Sequence, residues 1–204
     1  MRVLLTLIAA TLFAGEAFAA DLTVRVTDAA GAPVQNAVVS FTPAAGVSTP
    51  IRFSWPYQVA QQNLRFDPYI LIVPTGATVR FPNLDRVRHH VYSFSDGNRF
   101  ELELFGRDES RSHRFTQAGI AAVGCNIHDQ MQAYIVIVDT PFVARTTATG
   151  TVVIPGASGA GTLRVWHPNL RVRGGTMSRA VTLPASGAAQ EAFSVQLRAG
   201  GHAH

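Results

Sequence analysis

The chain has 204 residues, of which 47% are hydrophobic and 15% are charged, and its formal net charge is +4. This length allows one large or two small domains. The 17 basic residues are all arginine and are spread along the chain without a basic run, which argues against nucleic acid as a partner. A mildly basic surface would instead steer an acidic partner.

The first residues predict a secretory signal peptide. Arg2 precedes an apolar run at 3–14, and Ala17-Phe18-Ala19 has the small-residue pattern of a cleavage site. We place the signal peptide at 1–19, with cleavage after Ala20 as a near alternative, and expect export to a bacterial periplasm. The apolar run is short for a bilayer, and no later stretch is long enough to span one.

The mature chain begins with two predicted strands. In residues 21–43, apolar and polar side chains alternate on both sides of a turn at 28–31. The small-residue stretch 44–50 predicts a linker. Residues 51–65 have no clear period, so we expect an irregular segment there.

Short strands continue through the rest of the chain. No segment has a helical period, and 51–138 predicts an all-β sandwich. The tail 200–204 is predicted to be disordered. The predicted strands lie within 66–85, 89–95, 100–105 and 112–125, with a polar turn at 106–113, and, after a change in composition at 139–141, within 146–166, 179–183 and 193–199.

The loop between two of these strands carries three soft metal ligands. It contains the only cysteine, Cys125, followed by His128 and Met131. A lone cysteine cannot form an internal disulfide, and in an exported protein it points to metal binding or to reactivity. Taken singly, the cysteine and the methionine would be ordinary core residues. Their spacing within one polar loop favours a metal, and copper in particular.

One further histidine would complete a set of two histidines, a cysteine and a weak axial methionine, the electron-transfer type of copper site. His89 and His90 stand at the start of a predicted strand, where neighbouring side chains point to opposite faces. Both faces carry apolar residues, so periodicity leaves both histidines open as ligands. The seven histidines of the chain are residues 89, 90, 113, 128, 167, 202 and 204.

The segment from about 66 to 139 resembles the cupredoxins, which are small Greek-key β-sandwich copper proteins. His89-His90-Val91 is similar to their first ligand motif, and the spacing from Cys125 to Met131 is like that of amicyanin. The resemblance implies that His89, Cys125 and His128 form the trigonal set and that Met131 is the axial ligand. His90, the alternative to His89, then takes the place of a residue that braces the ligand loop.

Two further resemblances concern the rest of the chain. Sequences at 81–95, 100–105, 124–142 and 164–168 look like bacterial proteins of the methylamine-utilisation or plastocyanin-like group, a name that does not establish a substrate. Residues 20–48 and 141–199 resemble two halves of a carboxypeptidase-regulatory or transthyretin-like β-sandwich. We therefore predict one small domain with a copper domain, 51–140, inserted into it. The alternative is a single sandwich with additional strands.

The expected function is electron transfer by one type 1 copper ion. Four protein ligands leave no open coordination position, so we predict no enzymatic activity. The resemblance gives His128 an exposed ring edge, through which electrons would pass to a periplasmic redox protein; a monomer is favoured. The alternatives are a copper carrier or store, and a metal-free binding sandwich that uses Trp55, Tyr57 or Trp166.

Overall fold

The computed structural model describes residues 20–48, 50–172 and 175–198; the predicted signal peptide and tail lie outside them. These residues contain no α-helix, so the predicted all-β class is confirmed. They accordingly include no helix that is long and apolar enough to cross a bilayer. The strands are β1 (Asp21–Asp28), β2 (Val38–Pro43), β3 (Ala60–Gln62), β4 (Arg65–Asp67), β5 (Ile70–Pro74), β6 (Thr78–Pro82), β7 (His89–Ser93), β8 (Phe100–Phe105), β9 (Ser110–Arg114), β10 (Gly119–Gly124), β11 (Gln132–Val138), β12 (Val143–Arg145), β13 (Thr151–Ile154), β14 (Gly159–Trp166), β15 (Thr176–Leu183) and β16 (Ala188–Val195).

Strands β3 to β11 form what we call the central sandwich. Its main sheet has the order β5-β11-β10-β7-β8, and the pairs β6-β9 and β3-β4 complete the layers. Strand β6 shows why the chain folds in this way: Val79 and Phe81 are buried, whereas Thr78 and Arg80 point to solvent. Such alternation places one face of a strand on an apolar core, and this core includes Cys125 and Met131.

The N-terminal and C-terminal segments meet in a second pair of sheets, the outer sandwich. One sheet has the order β13-β1-β16 and the other the order β12-β2-β14-β15. They enclose a separate core in which Phe41 and Leu163 are fully buried. Gly161 permits the close packing, because a Cβ atom there would lie 2.5 Å from the ring of Phe41. The division into an inserted domain and a surrounding one, and the boundaries between them, stay a prediction.

Strands β5 and β11 are buried on both faces, since they lie between the two sandwiches. Along β5, Leu71 and Val73 enter the core of the central sandwich, while Ile70 and Ile72 enter a junction core with Trp166 of β14. Strand β11 alternates in the same way. Their nearly continuous apolar sequences are the pattern expected for strands that are covered on both sides.

Three segments differ from the predictions. The irregular segment predicted at 51–65 contains β3, and the polar turn predicted at 106–113 contains the beginning of β9. Strand β12 was not predicted. In each case the neighbouring strand supplies backbone partners that the local sequence does not reveal: β4 for β3, β6 for β9 and β2 for β12.

Candidate metal centre

Two adjacent strands and the loop between β10 and β11 bring three ligand side chains together. His89 opens β7, Cys125 directly follows β10, and His128 lies in the loop that leads to β11. The strands β7 and β10 are neighbours in the main sheet. The Sγ atom of Cys125 lies 3.8 Å from Nδ1 of His89 and 3.7 Å from Nδ1 of His128.

The donor atoms of this cluster fit one soft metal ion. The nitrogen and sulfur donors of His89, Cys125 and His128 all lie within 4.8 Å of one another. Cys125 is buried and His89 is completely buried, whereas His128 is partly exposed. Two imidazoles and one thiolate form the trigonal set typical of blue-copper sites. The residues present therefore fit copper.

Asp85 fixes the orientation of the buried histidine. Its Oδ2 atom lies 2.9 Å from Nε2 of His89. With the proton on Nε2 donated to this carboxylate, the lone pair of Nδ1 faces Cys125, as in the carboxylate–histidine pairs that support metal sites. The predicted site lacked Asp85, because nothing in the sequence distinguishes it from any other loop carboxylate.

Asp85 is itself held by the hairpin between β3 and β4. The backbone N–H of Asn63 donates to its Oδ1 at 2.7 Å, and that of Leu64 donates to its Oδ2 at 3.0 Å. Burial raises the pKa of Asp85, but the hydrogen bonds from Leu64, His89 and Asn63 outweigh burial and lower the pKa below its ordinary value. The carboxylate is thus stabilised in its charged form.

The loop that carries Asp85 is organised by a buried amide. Asn83 accepts a hydrogen bond from the backbone N–H of Asp85 at 2.9 Å. The side-chain amide of Asn83 donates to the carbonyl oxygens of Val87 and Phe105, at 2.8 and 3.1 Å. These bonds connect the loop before His89 to the last residue of β8. They hold Asp85 in position without a metal.

The cysteine-containing loop is closed by two backbone hydrogen bonds. Met131 donates its N–H to the carbonyl of His128 at 2.9 Å, and Cys125 donates to the carbonyl of Met131 at 3.3 Å. Met131 is buried in the same core cluster as Cys125. Its role as axial ligand stays a prediction.

The second histidine of the pair lies elsewhere. His90 places its Nε2 atom 2.8 Å from Oε1 of Glu101, and its ring packs beside that of Tyr92. Its Nδ1 atom is buried without a hydrogen-bond partner among the described residues. The structure therefore places His89, and not His90, beside Cys125.

The residue before the cysteine is glycine for a steric reason. The ring of Tyr92 lies over Gly124, where an added Cβ atom would come 3.0 Å from the ring and from the hydroxyl oxygen. Only glycine allows this approach without a shift of the ring. The ring of Tyr92 lies beside that of Phe94, the residue that follows β7, and Phe94 is 67% exposed.

The remaining described histidines, His113 and His167, are not members of this cluster. His113 stacks on Phe100 with ring centroids 4.4 Å apart, and burial lowers its pKa. His167 accepts a hydrogen bond from the backbone of Asn169. Burial lowers the pKa of His167, although a hydrogen bond with the backbone of Gln35 acts in the opposite direction.

No protein-family model and no curated protein matches the chain. Several solved structures match part of the chain. A purple cupredoxin from Nitrosopumilus maritimus is 20% identical, covers 40% of this chain and 98% of its own, and has a TM-score of 0.36. A reduced mutant of amicyanin is 21% identical, with coverages of 50% and 99% and a TM-score of 0.38.

A Cu-containing nitrite reductase from Thermus scotoductus SA-01 is 22% identical, with a TM-score of 0.40, and the match covers 57% of this chain but only 28% of the reductase. The similar structures are cupredoxins. All three TM-scores are low, so the likeness establishes no function for this chain.

Proposed function

We propose that this chain is an exported type 1 copper protein that transfers single electrons between redox partners in the periplasm. One observation carries the proposal: the donor atoms of His89, Cys125 and His128 lie within 4.8 Å of one another on a sheet and its loop. Met131 would complete the ligand set as a weak axial donor. Export rests on the predicted signal peptide.

The residues of the site would hold the metal with little rearrangement. Copper, when bound, would accept and release one electron. Asp85 keeps a proton on Nε2 of His89 and directs Nδ1 inward, while the sheet fixes the positions of His89 and Cys125. Burial of Cys125 shields its thiolate from oxidation. Ligands that are held in place in this way favour fast electron transfer.

His128 would be the route for electrons. It is the partly exposed member of the cluster, and the neighbouring Ile127 is 50% exposed. A periplasmic redox protein could therefore approach the site over this loop. Four protein ligands would leave no open position for a substrate, and for this reason we propose a carrier rather than an enzyme.

The visible absorption spectrum after addition of Cu(II) tests the proposal. The mature chain should develop an intense blue, violet or green charge-transfer band, and Cys125→Ser should lack it. A matched pair of variants assigns the histidine: His89→Gln should lose the band, whereas His90→Gln should keep it. A colourless protein, or copper binding that is unaffected by Cys125→Ser, would refute the proposal.

Reversible one-electron reduction separates a carrier of electrons from a carrier or store of copper. An electron-transfer protein should retain its metal through repeated oxidation and reduction in the presence of a chelator. Loss of copper to the chelator on each reduction would instead favour the role of carrier or store.

A further inference from the structure

A wide polar cleft lies where the outer sandwich meets the hairpin of β3 and β4. Its volume is about 740 Å³, and one end reaches Gln130 and Gln132, on either side of Met131. This volume falls within the range of about 300–1,000 Å³ that is common for small-molecule sites, and such sites often form between domains.

The lining of the cleft is rich in side-chain amides. Each amide offers two N–H donors and a carbonyl acceptor, the combination that neighbouring hydroxyl groups on a sugar ring require. Tyr69 also lines the cleft; burial, followed by the charge interaction and the side-chain hydrogen bond with Tyr134, raises its pKa to about 12. The amide-bearing residues are Gln35, Asn36, Gln62, Asn63, Gln130 and Gln132.

Two arginines give the cleft a positive balance. Arg65 and Arg145 line it together with one carboxylate, Asp67. None of the three forms an ion pair within the part of the chain that the structure describes. A guanidinium group without an internal partner is suited to a bidentate interaction with a carboxylate.

A second, more apolar cleft of about 690 Å³ borders the first. The two share Gln62, Asp67, Pro68 and Arg145. Trp55 lines the second cleft; its indole N–H is fixed to the carbonyl of Ile72 at 2.8 Å, and the residue is 39% exposed. An exposed, immobilised indole offers a flat apolar surface on which a sugar ring can pack.

We propose that these two bordering clefts bind an acidic saccharide, with hydroxyl groups on the amides, a carboxylate on Arg145 or Arg65, and a further sugar unit toward Trp55. This binding is separate from electron transfer and does not require copper. It assigns the outer sandwich a role, since Gln35 and Arg145 both come from it.

Isothermal titration of the mature, copper-free chain with trigalacturonic acid tests the proposal, with neutral maltotriose as the matched ligand. The acidic sugar should bind saturably and the neutral one at least about tenfold more weakly. Arg145→Ala and Arg65→Ala should each weaken binding about 10- to 100-fold, the effect of losing a hydrogen bond to a charged group. Arg107→Ala, an exposed arginine outside both clefts, is the control.

Thermal unfolding of each variant establishes that it is folded. If one of the two cleft variants does not fold, the other still tests the proposal. Absence of saturable binding would overturn the proposal. So would equal binding of maltotriose, or equal affinities of the cleft variants and Arg107→Ala. Because copper is absent, none of these results bears on the blue-copper proposal.

Discussion

Replacement of Asp85 by asparagine separates the charge of this residue from its hydrogen bond to His89. The carboxylate accepts from three N–H groups: Asn63 on Oδ1, and Leu64 and His89 on Oδ2. Asparagine has one acceptor oxygen, and its best orientation places that oxygen toward Leu64 and His89. The amide NH₂ then faces the N–H of Asn63. One hydrogen bond is lost, and the bond to the histidine is kept without the negative charge.

This substitution should change both the stability of the chain and its affinity for copper. The lost hydrogen bond from Asn63 is exposed to water, so its loss should lower the free energy of unfolding by about 0.5–1.5 kcal/mol, as measured by urea denaturation of the copper-free chain. Changes to groups that support metal-bound histidines typically reduce affinity by about 10- to 100-fold, or about 1.4–2.7 kcal/mol. Competition with a chelator, followed through the charge-transfer band, should show this weakening of Cu(II) binding in Asp85→Asn.

Glu101→Gln is the matched control. It removes the same charge from the carboxylate beside the other histidine, His90. We expect Cu(II) affinity to stay as in the unmodified chain. If Asp85→Asn binds Cu(II) as tightly as the unmodified chain, or if Glu101→Gln weakens binding equally, then Asp85 does not support the metal site in the way argued.

Three further changes test the packing and the buried histidine. Gly124→Ala should lower the free energy of unfolding in urea by about 1 kcal/mol, the low end for overpacking, because its Cβ atom would lie 3.0 Å from Tyr92 and the ring must shift; Tyr92→Leu in the same chain should recover much of the loss. Trp166→Ala should cost about 3–5 kcal/mol at the junction core; a smaller loss than in Gly124→Ala would contradict its assigned role. Burial lowers the pKa of His167, so stability should fall as the pH drops through about 6.5, the unfolded value. His167→Asn, which keeps an acceptor for Asn169, should lose less stability between pH 7.5 and 5, and an unchanged pH profile would refute this.

The ligand loop was the part of the site that the sequence could predict. Cys125, His128 and Met131 lie within seven residues, and local spacing is visible without a structure. The choice between His89 and His90 could not be made from periodicity, since both side chains are buried. The structure distinguishes the two by their partners: His89 lies against Asp85 and Cys125, whereas His90 lies against Glu101.

Asp85 lay beyond the reach of the sequence because its function depends on two distant contacts. The backbone N–H groups of Asn63 and Leu64 orient its carboxylate, and the carboxylate accepts a hydrogen bond from His89. The fold was easier to predict from the sequence, because apolar and polar residues alternate clearly along most strands. Strand β12 did not, because three residues gain their extended form only by pairing with β2.

The pairing of β2 with β12 brings the two ends of the segment 44–140 together. The N–H of Phe41 donates to Phe142 at 2.8 Å, and Thr140 donates to the carbonyl of Phe41 at 2.6 Å. The chain therefore leaves and rejoins the outer sandwich at neighbouring points on one ladder, about 5 Å apart. Residues 44–140 occupy the place of a hairpin turn, a position at which insertions are well tolerated. If the predicted division of the chain is right, a chain with Pro43 joined to Thr140 through a short turn should keep both outer sheets.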